Sequence, residues 1–158
     1  MQITKIIIGI DSNDIAEHAA TYGFEMARKF NAKVGLVHII EPNIMAQQPN
    51  DGLMGNMTPD IGTVDVELMD IQNQASEKLI ARITEKFGTG VNVTHFSEYG
   101  DTADGIVACC NEFGADMIVI GTHNRTGIDR FLMGSVAEHV VRHAHVPVLV
   151  VPMPKSND

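Results

Sequence analysis

The chain has few basic residues. Of its 158 residues, 11 are Lys or Arg and 20 are Asp or Glu, so the formal net charge is -9. This charge disfavours nucleic acids and acidic membrane surfaces as partners, because both would be repelled. An anionic ligand would therefore have to be held by local backbone dipoles rather than by a basic field.

Long apolar runs and a secretory leader are also missing. No apolar run approaches the roughly 20 residues of a membrane-spanning helix. Residues 1–5 lack the charged, apolar and small-residue order of a signal peptide. The only two cysteines, Cys109 and Cys110, are adjacent and cannot link distant segments. These features predict a cytoplasmic protein.

Common enzyme signatures are absent as well. The sequence contains no G-x-S-x-G nucleophile elbow and no G-x-x-x-x-G-K-[S/T] phosphate loop. The lysine of that loop binds the phosphates of a magnesium nucleotide in enzymes that hydrolyse it efficiently, and this chain has no such lysine in that motif. No pair of carboxylates is placed by a motif for acid–base work, so we predict no catalytic residue.

Short β-branched runs alternate with helical patterns along the chain. The runs predict strands at 5–10, 33–40, 91–97, 116–120 and 146–152. Four helices are predicted between the strands. A strand, a helix and a second strand joined by short connections form a right-handed βαβ unit with parallel strands. The fold class is therefore α/β, with one open five-stranded parallel sheet. The third strand alternates apolar and polar residues and is predicted to lie at an edge.

The domain prediction is a single domain over residues 1–158. Residues of about 41–62, rich in Pro, Asn, Gln, Gly and Met, are predicted to form an irregular segment. Such a segment is either functional or a variable surface insertion, and the sequence leaves both open. Residues 154–158 are predicted to be a polar tail.

Helical spacing also predicts which faces of the helices pack inward. Three sets share a helical face: Ile15, Ala16, Ala19, Ala20, Tyr22, Gly23, Met26, Ala27 and Phe30; Leu68, Ile71, Ala75, Leu79 and Ile83; and Ile106, Cys109, Cys110 and Phe113. The two cysteines are most simply core residues, and a reactive thiol is the alternative.

The stretch from Gly121 to Ser135 has the order of a phosphate-binding site. An apolar run, residues 117–120, precedes a glycine-bearing loop, and a helical pattern follows Gly134-Ser135. Backbone N–H groups in such a loop and at the helix start favour an anion. Ser135 offers a hydroxyl that either caps the helix or binds a phosphate oxygen. The alternative is an ordinary strand-to-helix connection.

This stretch resembles the nucleotide-binding signature of the universal stress protein family, G-x2-G-x9-G-[S/T]. Gly121 matches the first glycine and Gly134-Ser135 match the final pair, whereas Asn124 replaces the middle glycine. Asn tolerates the left-handed backbone region better than most residues, so the loop shape is expected to survive. The resemblance extends over nearly the whole chain, including the segment Val-Pro-Val-Leu-Val-Val at 146–151.

The resemblance implies a Rossmann-like sheet of the adenine nucleotide alpha hydrolase-like type. It implies strand order 3-2-1-4-5 with helices on both faces, and a nucleotide crevice between strands one and four. The implied ligand is ATP, or else AMP or ADP, with Mg²⁺ possible beside it. The residues predicted to bind this nucleotide are Gly9, Asp11, Ile39, Gly121, Thr122, His123, Asn124, Arg125, Gly134, Ser135 and Val136.

Several of these residues have more than one interpretation. Asp11 either accepts a hydrogen bond from a ribose hydroxyl or caps the following helix. Ile39 occupies the position whose backbone meets adenine in ATP-binding relatives, and Gly9 stands where many relatives carry proline. Arg125 and Arg130 either neutralise phosphate charge or are solvated.

Three histidines follow the signature. His139 and His143 lie four residues apart on a helix, with His145 just beyond, a spacing that can ligate a metal. Exposed helix histidines are common, and we predict no metal site.

The function that the resemblance implies is that of a stress-response regulator that binds an adenine nucleotide, rather than of an efficient enzyme. A homodimer through the last strand is implied, and an unidentified protein partner is possible. One alternative is a nucleotide-free scaffold in which Asn124 abolishes binding. Another is a slow ATPase that phosphorylates itself, with Ser135 or a nearby hydroxyl as the acceptor.

Overall fold

Five parallel strands form one sheet in the order β3-β2-β1-β4-β5, as predicted. The computed structural model describes residues 2–11, 14–42, 61–122 and 134–152, without the side chains of residues 14–16 and 61–65. The strands are β1 Lys5–Ile10, β2 Lys33–Ile40, β3 Val93–Tyr99, β4 Met117–Thr122 and β5 Val148–Pro152. The helices are α1 Asp14–Phe30, α2 Ile61–Phe87, α3 Thr102–Phe113 and α4 Ser135–His143.

Helices cover both faces of this sheet, so the core has two layers. Alternate residues of the strands point to opposite faces. On one face, β-strand residues such as Ile8 and Leu36 pack against Phe24 of α1 and Ile80 of α2. The other layer packs the sheet against α3 and α4; its buried residues are Ile7, Val37, Ile39, Ala103, Ile106, Cys109, Cys110, Ala115, Ile118, Ile120, Ala137 and Val140.

Three strand boundaries differ from the prediction. β3 runs from Val93 to Tyr99 rather than over 91–97, because β2 continues to pair with it as far as Ile40. β4 begins after Asp116, whose carboxylate accepts hydrogen bonds from the backbone N–H groups of Thr4 and Lys5 at 2.8 and 3.0 Å. β4 then extends to residue 122, and β5 is limited to residues 148–152.

Helix α2 begins earlier than predicted, and only the second half of its predicted inner face, at Leu79 and Ile83, lies against the core. Its first residues, Ile61 and Gly62, fall inside the predicted irregular segment, the rest of which lies largely outside the described residues. The predicted face placed Leu68 and Ile71 inward, yet they are 45% and 63% exposed. A helix of 27 residues is about 40 Å long, more than a strand of this sheet covers. Its second half therefore supplies the core contacts, through Ser76, Ile80 and Ile83 with Leu79 and Phe87 partly buried.

The predicted inner face of α1 was partly wrong. Tyr22 and Phe30 are 46% and 45% exposed, while Phe24, which the prediction omitted, is fully buried. The buried stripe is centred on Gly23, where an added Cβ would lie 2.5 Å from Ile8 Cδ1. Because glycine allows that close approach, α1 rotates Phe24 into the core and leaves Tyr22 outside.

Both ends of α3 are capped by residues suited to these positions. Asp101 is its N-cap, and its side chain accepts hydrogen bonds from the N–H groups of Ala103 and Asp104. Gly114 ends the helix with φ 65°, in the left-handed region that glycine adopts without strain. The predicted inward residues of α3 are confirmed, with Phe113 only partly buried.

Candidate functional site

Strand β1 stops pairing before its two neighbours do. Its ladder with β2 ends at Ile10↔His38, and its ladder with β4 ends at Gly9↔Ile120. β2 continues beside β3 to residue 40, and β4 continues beside β5 to residue 122. The carboxyl end of β1 therefore lies at the base of a notch between two longer strands. We call this place the β1 notch.

The β1 notch is also where the strand order reverses. The chain winds from β1 through β2 to β3 on one side and from β4 to β5 on the other. In open α/β sheets, ligands bind beyond the carboxyl ends of the strands at such a point. Asp11, half-buried, directly follows the last residue of β1. The residues between it and α1 lie outside the described part of the chain, so its helix-capping alternative stays untested.

Backbone from β2 and β4 forms the walls of the notch. Ile39 lies one residue beyond the last β1–β2 pair, and the contact of its backbone with adenine stays a prediction. Gly121 and Thr122 lie beyond the last β1–β4 pair and are half-buried. The predicted residues His123, Asn124 and Arg125, and also Arg130, lie outside the described residues.

The start of α4 completes the predicted site. Gly134 is the N-cap, with φ -50° and ψ 151°, and makes no side-chain cap hydrogen bond. Ser135 is the first helical residue and is exposed, so it does not cap α4 as one interpretation suggested. The alternative, that its hydroxyl binds a phosphate oxygen, stays a prediction. Val136 packs against the α3–α4 core layer.

Two glycines set the packing behind the notch. A Cβ at Gly9 would lie 3.0 Å from both Ile106 Cδ1 and Ile120 Cγ2. A Cβ at Gly105 of α3 would lie 2.6 Å from Ile39 Cδ1. Glycine at these positions lets α3 pack closely against β1 and β2. A packing role for Gly9 is therefore visible, and its predicted contact with a ligand stays a prediction.

A polar chain that the sequence analysis missed lies near the notch. His38 Nδ1 of β2 is 2.8 Å from Ser76 Oγ of α2, and Ser76 Oγ is 2.6 Å from Ser97 Oγ of β3. Burial lowers the pKa of His38, while the charge of Asp11 acts in the opposite direction. The signal in the sequence was a histidine in an apolar strand, at a position that faces the core.

The two cysteines are buried core residues. The pKa of Cys109 is raised to about 11, first by burial and then by nearby carboxylates such as Glu98. Burial raises the pKa of Cys110 as well. A raised pKa keeps the thiol protonated, and the thiolate is the reactive form. The core interpretation therefore fits, and the reactive-thiol alternative does not.

The histidines of α4 make local contacts. His139 Nε2 is 2.7 Å from Asp104 Oδ1 of α3, and the rings of His139 and His143 stack with centroids 4.0 Å apart. His143 Nδ1 bonds the backbone carbonyl of His139 at 2.8 Å. Within the described ranges, no three His, Cys, Asp or Glu residues are grouped to hold a metal ion.

Comparison with known proteins agrees with this architecture. The model of the Universal stress protein family matches residues 2–152. This chain belongs to the universal stress protein family. The 3-2-1-4-5 sheet order agrees with this membership. No helix within the described ranges is long and apolar enough to cross a membrane.

One relative and two solved structures illustrate the similarity to this family. Universal stress protein MJ0531 of Methanocaldococcus jannaschii is 33% identical over 152 residues, which cover 96% of this chain and 84% of the relative. The structure of UspA from Lactobacillus plantarum superposes with a TM-score of 0.74 at 22% identity, covering 96% and 99% of the two chains. The universal stress protein from Archaeoglobus fulgidus, solved in complex with dAMP, has a TM-score of 0.58 at 25% identity, covering 96% and 99%.

Proposed function

We propose that this protein binds an adenine nucleotide in the β1 notch and acts as a stress-response regulator rather than as an efficient enzyme. The observation that carries the proposal is the early end of β1 between β2 and β4, with Asp11 at its base. The notch lies at the topological switch point, where such sheets bind ligands. A relative from Archaeoglobus fulgidus was solved with dAMP, which supports an adenine nucleotide as the class of ligand.

Each part of the nucleotide has a proposed partner. Adenine meets the backbone at Ile39, beyond the β1–β2 ladder. Asp11 accepts hydrogen bonds from the ribose hydroxyls. The phosphates lie against the backbone N–H groups that begin α4 at Gly134 and Ser135, where the helix dipole favours an anion. The signature-loop residues from His123 to Arg125 complete the phosphate site, with Mg²⁺ possible beside ATP.

Local groups have to hold the anion, because the whole chain carries a net charge of -9. Backbone N–H groups hold an anion without a basic field, and they recognise any phosphate. ATP, ADP and AMP therefore all fit the proposed phosphate site. Selectivity for an adenosine moiety then comes from the carboxylate of Asp11, which binds the ribose, and from the backbone of Ile39, which binds adenine.

Calorimetric titration of the purified protein with ATP and AMP tests this function. We expect a dissociation constant below about 1 mM for at least one of them. Asp11→Asn should weaken binding about tenfold or more, because it removes a charged hydrogen-bond acceptor. Glu112→Gln, which removes one carboxylate from an exposed position on α3, is the control and should leave the affinity unchanged. No binding by the folded protein at millimolar nucleotide would refute the proposal.

We also propose a cytoplasmic homodimer joined through β5. In support, β5 pairs with β4 and lies at the end of the strand order, so among the described residues no other strand pairs with its outer edge. Exposed strand edges pair readily with a second chain. Nucleotide binding would then change the surface of the dimer that a protein partner recognises.

A further inference from the structure

An exposed apolar stripe lies on the first half of α2. Leu68 and Ile71 are 45% and 63% exposed, and Ala75 is exposed as well. Spacings of three and four residues place these side chains on one face of the helix. We call these three residues the α2 stripe. Contiguous exposed apolar side chains are typical of binding surfaces, whereas single ones are ordinary.

The α2 stripe faces the side of α2 on which α1 lies. Further along α2, Arg82 and Lys86 bond the carboxylate of Glu17 on α1, so their face of the helix looks towards α1. Lys86 follows Leu68 by 18 residues, which is five turns of 3.6 residues. Arg82 follows Ala75 by seven residues, about two turns. The stripe therefore continues the face that pairs with α1.

α1 is too short to cover the stripe. Both helices connect parallel strands, so they run in the same direction and begin at the carboxyl edge of the sheet. α1 begins at Asp14, less than one turn before Glu17. From Arg82, the partner of Glu17, α2 continues for another 11 residues back to Ile71, which is about 16 Å. The first half of α2 thus extends beyond the start of α1.

The space beside the stripe lies next to the β1 notch. α2 packs over β2 and β3 and α1 over β1, so the face of α2 that looks towards α1 also looks from β2 towards β1. Ser76 directly follows Ala75, and its Oγ lies 2.8 Å from Nδ1 of His38. His38 pairs with Ile10, the last residue of β1. Ala75 is therefore level with the end of β1, and the rest of the stripe lies about 6 and 10 Å farther out.

The charges around the stripe favour one part of a nucleotide over the other. Residues 66–77 include Glu67, Asp70 and Glu77 and contain no Lys or Arg. Acidic side chains repel phosphate groups. The proposed phosphate site lies elsewhere, at the start of α4, where the helix dipole favours an anion. The uncharged aromatic base is therefore the part of the nucleotide that fits the stripe.

We propose that the α2 stripe binds the base of the nucleotide in the β1 notch, with Ile71 and Leu68 packing against the purine ring. This inference rests on the function proposed above, and it adds an apolar wall to that site. Ligand sites are lined mainly by apolar side chains, while a few polar groups fix the orientation of the ligand. The stripe supplies affinity by burying apolar surface, and the backbone of Ile39 selects the base.

Serine variants of the stripe test this contact by calorimetric titration with ATP. Ile71→Ser and Leu68→Ser should each weaken ATP binding about three- to tenfold, because each removes an apolar side chain that the base covers. Ile71→Met keeps an apolar side chain of similar size and should bind ATP as the wild type does.

Val66 provides a matched control on the same helix. It is 58% exposed and precedes Ala75 by nine residues, which is two and a half turns, so it lies on the opposite side of α2. Val66→Ser should therefore leave the affinity for ATP unchanged.

A single tryptophan reports the contact directly, because the chain contains none. A purine that packs against an indole ring changes its fluorescence, since the two aromatic systems stack. ATP should quench the emission of the Ile71→Trp variant, whereas inorganic tripolyphosphate, which has no base, should not. The emission of Val66→Trp should respond to neither compound.

Two other occupants of the stripe would overturn the proposal. Substitution of an exposed side chain changes stability little. If Ile71→Ser lowers Tm of the nucleotide-free protein by several degrees, another part of this chain covers the stripe. If Ile71→Ser lowers the molecular mass of the nucleotide-free protein in sedimentation equilibrium, a second copy of the chain covers it.

The outcomes also separate this inference from the proposed function. If the folded wild-type protein does not bind ATP, the proposed function and this inference fail together. If the wild type binds ATP and both serine variants bind it as tightly, only the base contact is overturned. Unchanged emission of Ile71→Trp at saturating ATP would overturn the base contact as well.

Discussion

Gly105 and Ile39 are packed so closely that a Cβ on the glycine would lie 2.6 Å from Ile39 Cδ1 and 2.8 Å from its Cγ1. Real Cβ atoms do not approach other atoms so closely, so either α3 or the end of β2 would have to move. Ile39 is 7% exposed and is the residue whose backbone we place against adenine. The packing of one helix thus fixes one wall of the β1 notch.

Gly105→Ala is therefore expected to destabilise the protein and weaken nucleotide binding. Overpacking of this kind costs about 1–3 kcal/mol of unfolding free energy, which chemical denaturation measures. Adding Ile39→Val removes the Cδ1 atom and should restore part of both losses. Full stability and full affinity of the single variant would show that the contact relaxes freely.

Asp101→Ala should lower stability through the loss of a helix cap. The Asp101 side chain accepts hydrogen bonds from Ala103 N at 2.9 Å and Asp104 N at 3.0 Å. Loss of such a cap costs about 1 kcal/mol, which lowers Tm by about 2–4 °C for a protein near this size. Asp101→Ser, which keeps a capping oxygen, should retain most of the stability in the same calorimetric scan. An equal loss in both variants would contradict the capping role.

Stability should fall in mild acid because of His38. Its pKa in the folded protein is lowered from 6.5 by burial, so the unfolded chain binds more protons as the pH drops below 6.5. The stability that the neutral ring contributes is thus present above pH 6.5 and is lost as the pH falls towards the lowered folded pKa. Urea unfolding at about pH 8 and about pH 5 measures this loss.

The His38→Leu variant should show a smaller difference between those two pH values than the wild type. Two described carboxylates have lowered pKa values because of their hydrogen bonds, Glu17 to Lys86 and Asp116 to Thr4. Their contribution is lost only at more acidic pH. A wild-type difference in His38→Leu would refute the assignment to this histidine.

Two proline variants of β5 test the proposed dimer. Ile118 N donates to Pro147 O at 3.0 Å, and alternate residues of a parallel strand bond the same neighbour. The N–H of Leu149 therefore points to β4, whereas the N–H of Val150 points to the outer edge. Val150→Pro should shift the protein to a monomer in sedimentation equilibrium, because it removes an outward donor.

Leu149→Pro is the matched variant on the same strand. It removes a donor to β4, so we expect it to lower Tm more than Val150→Pro does. A Val150→Pro protein that remains dimeric, or a wild-type protein that is monomeric, would refute dimerisation through this edge.

The strand order and the helix ends could be predicted, because each has a local or family-wide signal. The apolar runs define the strands, and Asp101 and Gly114 have side-chain properties that suit the ends of α3. The resemblance at Gly121 and Gly134-Ser135 implied the sheet order before any coordinates. The strands and the ends of α3 are properties of short segments, so hydrophobic periodicity and capping residues predict them directly.

The buried faces of the helices were harder to predict, since they depend on tertiary packing. Apolar residues occur on two sides of α1 and α2, and only contact with the sheet decides which side is buried. Gly23 against Ile8 selects Phe24 over Tyr22. The His38–Ser76–Ser97 chain joins residues 38 and 21 positions apart, and no local pattern reports such a contact.

The central place of β1 has a consequence for synthesis on the ribosome. β1 is translated before both of its neighbours in the sheet, and one of them, β4, begins only at residue 117. The carboxylate that binds the N–H groups of Thr4 and Lys5 comes from Asp116, 112 residues after Thr4. In the nascent chain, the apolar edge of β1 that pairs with β4 therefore has no strand partner until residue 117 has been translated. Unpaired apolar strand edges favour aggregation, so this edge is where we expect the incomplete polypeptide to be most prone to associate with other chains.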